Sequence, residues 1–87
     1  MVEGGDGVEL SMAISNRISH LCEDNGLSVN KLAVICGLRQ STISNILNGN
    51  SKNPTIASLK KICEGFNISL SEFFDDPIFD MIRNQGV

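Results

Sequence analysis

The residues able to do chemistry are spread unevenly along this 87-residue chain. In GLRQSTISNILNG, residues 37–49, the amides and hydroxyls of Gln40, Ser41, Thr42, Ser44, Asn45 and Asn48 alternate with apolar Ile43, Ile46 and Leu47, and Arg39 is the one charged group. Such side chains donate and accept hydrogen bonds but catalyse little alone. His20, the single histidine, stands beside several serines with no acid placed to orient it, so a nucleophilic triad is not expected. Glu72, Asp75 and Asp76 lack a calcium-loop pattern and read as decoration of a helix end. Cys22, Cys36 and Cys63 form no CxxC pair and fall in apolar helical patterns, which makes them buried thiols rather than a disulfide framework or a zinc site. GGDG at residues 4–7 lacks the strand and helix of a phosphate loop. No enzymatic activity, cofactor or metal is expected.

Charge distribution narrows the function further. The formal net charge is −3, yet residues 25–63 hold Lys31, Arg39, Lys52, Lys60 and Lys61 and no acid. All ten acids lie outside that interval, in the company of Arg17 and Arg83. A chain acidic at its flanks and purely basic in its middle has a candidate anion-facing surface.

The elements that must position these groups are helices. Apolar residues at 41% and a mean hydropathy of +0.05 support one small core. The longest apolar run, Leu32 to Leu38, is far shorter than the ~20 residues of a membrane span, and the N-terminus lacks a basic, apolar signal; no membrane association and a cytoplasmic location are expected. Leu10, Ile14, Ile18, Leu21 and Cys22 recur at helical spacing, with Ser11 as N-cap and a stop at Asp24 to Gly26. Ser28 caps a short helix that Gly37 ends, and the next runs from about Arg39 to Asn48, closed by Gly49. Thr55 caps a fourth helix with its stop at Asn67. Ser69 and Glu72 have capping-box spacing before a last helix that Pro77 breaks. The expected fold is all-α, a compact five-helix bundle: residues 1–9 a flexible acidic tail, 10–75 the folded domain, 76–87 a C-terminal extension.

The pair of helices around Gly37 is the informative one. Short helices joined by a tight glycine turn cross steeply, and small Ala33 permits close packing. Ile43 and Ile46 then pin one face of the following helix, leaving its amides and hydroxyls outward. Amides pair with adenine edges, hydroxyls reach bases or phosphates, and the missing carboxylates avoid repulsion from a DNA backbone. A merely solvated face ordinarily mixes Lys and Glu, and this one does not.

GLSVNKLAVICGLRQSTISNILNGNSKNPTIASLKKICEGFNISLSEFF resembles the helix-turn-helix domain of the Cro and phage-repressor type, lambda-repressor-like, over about residues 10–75. The resemblance implies a transcriptional regulator, most simply a repressor, binding double-stranded DNA as a homodimer with helix 39–48 in the major groove and half-sites about one turn apart. It carries base contacts onto Gln40, Ser41 and Asn45, and backbone contacts onto Thr42, Asn48 and Lys52.

Several positions depart from the family pattern. Val29 replaces a frequent phosphate-contacting Gln. Arg39 replaces a small polar cap, weak as a cap but suited to phosphate or guanine. Cys22 and Leu47 stand where many members pair Arg with Glu, so both partners of that ion pair are apolar here and should meet in the core. Val34 and Ile35 are apolar where the family is commonly polar, and Ile78, Phe79, Met81 and Ile82 extend beyond the usual domain. Either the tail folds over Val34 and Ile35 or one of these surfaces makes a dimer contact, tail-mediated association being favoured. Met12 and the Phe73–Phe74 pair read as core or interface. A protein-binding module such as an antitoxin-like subunit, gripping a protein partner through its tail, is the alternative.

Overall fold

The computed structural model describes residues 9–48 and 54–82. The expectations for residues 1–8, for Gly49 and Lys52, and for residues 83–87 lie outside that range. Five α-helices, α1 Leu10–Asn25, α2 Val29–Cys36, α3 Gln40–Leu47, α4 Ile56–Phe66 and α5 Leu70–Phe74, are followed by a 3₁₀ turn, Pro77–Met81.

Local signals set most of the boundaries. Ser28 and Thr55 accept the amides of Lys31 and Ser58, and Ser69 with Glu72 forms the expected capping box. Gly26, Gly37 and Asn67 stop α1, α2 and α4 in the left-handed conformation. In each case the next amide reaches back to an orphan carbonyl: Leu27 to Cys22, Leu38 to Ala33 and Ile68 to Cys63.

Two ends differ from expectation. Ser11 is not the cap of α1: the helix begins earlier, at an N-cap Glu9 whose carbonyl accepts the Ala13 amide at 2.9 Å, because the backbone ladder can start without a side-chain cap. Pro77 does not end α5, which stops at Phe74. It opens the 3₁₀ turn, where its fixed φ suits a first helical position and Asp76 Oδ1 accepts the Ile78 amide.

The core gathers one stripe from every helix. Ile18, Leu32, Ile43, Leu59, Ile62 and Phe73 are fully buried, each contributing about 1.5–3 kcal/mol of hydrophobic stabilisation. Cys22, Cys36 and Cys63 are free, buried thiols, as their apolar settings indicated. Cys22 lies in this core and Leu47 packs half-buried against it. The α2–α4 crossing is tight at Gly65, where an added Cβ would stand 2.6 Å from Cys36 Sγ and 3.3 Å from Ile35 Cγ2. A glycine inside a helix costs about 1 kcal/mol, and this close approach explains its use.

The C-terminal segment is held by one side chain from α1. Arg17 Nε donates to the Phe73 carbonyl at 2.8 Å, its second terminal nitrogen to the Glu72 carbonyl at 2.8 Å, and Nη1 reaches Asp76 Oδ2 at 3.4 Å. Phe79 packs on Phe73 and Phe74 with ring centroids 5.9 and 4.9 Å apart. The described part of the tail therefore lies on α1 and α5 rather than over Val34 and Ile35, which stay 81% and 49% exposed. Met12 is also exposed, and Phe73, not Phe74, is the buried member of its pair.

Candidate nucleic-acid interface

The α2–α3 unit is built from a short cap-to-cap segment. Gly37 turns the chain in the left-handed conformation, Leu38 packs against the core, and Arg39 is the extended N-cap of α3. Ala33 is buried beneath the crossing, as its small size predicted. Ile43 and Ile46, at 0% and 2% exposure, fix which face of α3 turns inward.

The remaining faces follow from that anchor. Gln40, Ser41, Asn45 and Asn48 are exposed, whereas Thr42 and Ser44, also expected outward, are half-buried because they flank the inward stripe. Among the described residues these six side chains make no hydrogen bond inside the protein. Among the described residues, the one side-chain bond that reaches α3 goes to its backbone, from Ser15 Oγ to the Leu47 carbonyl at 2.9 Å. Arg39 gives no side-chain cap bond, so the first amides of α3 lack a side-chain acceptor. Exposed amides and hydroxyls without internal partners can exchange water for the polar edges of a ligand at little structural cost.

The surrounding charge is positive but thin. Lys31, Arg39 and Lys61 are exposed and, among the described residues, carry no ion pair. Lys60 is engaged with Glu64 at 3.0 Å along α4. Val29 packs half-buried against the core, so the second helix offers an apolar group where a polar anchor is frequent. Beside Asn48, a shallow cleft of ≈ 330 Å³ separates the start of α1 from the end of α3.

No metal-binding group of three or more His, Cys, Asp or Glu residues occurs among the described residues. His20 is an exposed residue of α1. Burial pushes the thiols of Cys22, Cys36 and Cys63 up, that of Cys36 to about 11, and keeps them protonated and inert near neutrality. No described helix is long and apolar enough to cross a membrane.

Two residues important to this geometry escaped the sequence reading. Ser15 and Arg17 sit on α1 between Ile14 and Ile18, and their partners lie 32 and up to 59 positions away. A polar residue interrupting an apolar stripe was the available signal, but it names no partner.

Comparison with known proteins places this arrangement. A helix-turn-helix family model, HTH_3, matches residues 18–73. The HTH-type transcriptional regulator PuuR of Escherichia coli (strain K12) is 36% identical over 66 residues, 76% of this chain and 35% of PuuR, so the chain spans about a third of that relative. The crystal structure of the prophage Lp1 protein 11 aligns with a TM-score of 0.75 at 32% identity, covering 86% of this chain and all of that one. SinR, the master regulator for biofilm formation, solved in complex with DNA, aligns at 0.65 and 29% identity over 71% of this chain and 98% of its own.

Proposed function

Because the chain belongs to the helix-turn-helix family HTH_3, we propose that it is a sequence-specific DNA-binding regulator of transcription, most simply a repressor that occupies a promoter as a homodimer. The observation that carries this reading is the outer face of α3: exposed amides and hydroxyls, no carboxylate and, among the described residues, no internal partner. Gln40, Ser41 and Asn45 read base edges in the major groove, an amide being the natural partner of adenine N6 and N7. Arg39, Thr42, Asn48 and Lys52 hold the phosphates and set the register. Residues 10–75 form the DNA-binding unit, and the C-terminal extension that follows mediates its association with the second copy. The relationship to PuuR and the DNA bound to SinR support the reading.

Selection of bound sequences from a random duplex library at near-physiological salt tests it, with Gln40→Ala/Asn45→Ala as control. The expected result is a palindromic motif that the double variant no longer enriches. Enrichment that survives the double substitution would overturn the assignment of α3, and the absence of any motif would overturn sequence-specific binding. Dimerisation is tested by sedimentation of the chain lacking residues 77–87, which is expected to be monomeric; an intact dimer moves the contact to the helices.

A further inference from the structure

We propose that Ser15 is a positioning residue: from α1 it sets how far the C-terminal end of α3 extends toward DNA. This rests on the reading that α3 faces the bases. Ile43 and Ile46 are buried on the inward face of α3 and fix its rotation about its own axis. At that end Ser15 Oγ donates to the Leu47 carbonyl at 2.9 Å, tying the last helical residue to α1. Asn45, proposed above to read base edges, is exposed two residues before Leu47 in the same turn, and Asn48 follows Leu47 directly.

Packing holds this end from its inner side, where Ile46 is buried and Leu47 is half-buried against the core. On the other side of the bond a cleft of ≈ 330 Å³ opens, lined by Met12, Ser15, Asn16, Leu47 and Asn48 among others. At the opposite end of α3, Arg39 makes no side-chain cap bond. Among the described residues the Ser15 hydroxyl makes the one side-chain hydrogen bond between α1 and α3, and it acts at this end. Loss of the hydroxyl leaves room for water to reach the Leu47 carbonyl, so the fold keeps its hydrogen-bond inventory while the helix end loses its fixed position.

The test measures Ser15→Ala and Ser15→Thr, beside the Gln40→Ala/Asn45→Ala control, on the selected duplex and on a scrambled one, with thermal melts and amide exchange of the free protein. Ser15→Ala is expected to weaken the selected duplex about three- to tenfold, the worth of one net hydrogen bond. Scrambled-duplex binding should fall by a clearly smaller factor, and the melting temperature by no more than several degrees. The amides of Ile46 to Asn48 should exchange faster, and Ser15→Thr, which keeps the hydroxyl, should return affinity and exchange toward wild type. Wild-type affinity in Ser15→Ala, or equal loss on both duplexes, overturns the proposal while the control still loses discrimination. A control that keeps full discrimination instead overturns the reading of α3, and the role of Ser15 falls with it.

Discussion

Two regions that α1 touches through neighbouring residues, Ser15 and Arg17, treat their polar side chains in opposite ways. Where α1 meets α5 and the 3₁₀ turn, Arg17, Ser69, Glu72 and Asp76 are all engaged in bonds within the protein. On α3 the amides and hydroxyls are engaged in none among the described residues. Both regions are polar, so composition does not separate them. What separates them is commitment: the first uses polar groups to close the fold, and the second keeps them for water or a ligand. An uncommitted polar face on a helix pinned by isoleucines is the better signature of a binding surface.

The sharpest way to break this contrast is at its most committed residue. Arg17→Met removes the donors to two backbone carbonyls and the partner of Asp76, and is expected to cost about 3 kcal/mol or more, since bonds from a charged donor contribute about 1.5–3 kcal/mol each. Urea unfolding measures it; a loss below about 1 kcal/mol would place the closure of the C-terminal segment in the aromatic contacts instead.

A second, smaller effect tests the core beneath both regions. Burial holds the thiol of Cys36 at about 11, above its ordinary 9.0, so the folded chain keeps a proton that the unfolded chain releases. The stabilising contribution is complete below pH 9 and is lost as pH rises through 9 toward 11. Denaturant midpoints over that range should fall, and Cys36→Ala should flatten the decline even though it lowers stability throughout.

The smallest effect has opposite signs in the two assays. Arg39→Ser supplies α3 with a good N-cap and should stabilise the fold by about 0.5–1 kcal/mol. It should also weaken DNA binding and reduce the steepness of its salt dependence by about one ion. Paired melts and titrations over a salt series decide it; unchanged affinity would remove Arg39 from the interface.

Legibility in the sequence followed the range of the interaction. Ser28, Gly37, Thr55, Asn67 and the Ser69–Glu72 box act within a few residues and were readable to the residue. The outward face of α3 was readable from helical spacing, except that Thr42 and Ser44 sit at the margin of the inward stripe, where spacing cannot divide half-buried from exposed. Ser11 looked like a cap because cap propensity is a side-chain preference, whereas the start of α1 is set by a backbone bond to Glu9. Ser15 and Arg17 were opaque because their partners are set by how the helices pack, not by their neighbours in sequence. Pro77 carried a true signal, a constraint on φ, that fits a helix start as well as a helix stop.

Gly65 has a consequence for genetics. Any side chain there must push against Cys36, and α2 leads through Gly37 directly into α3. In a screen for loss of regulation, substitutions at Gly65 should therefore be recovered alongside those in α3, and a second-site change of Cys36 to a smaller residue should suppress them.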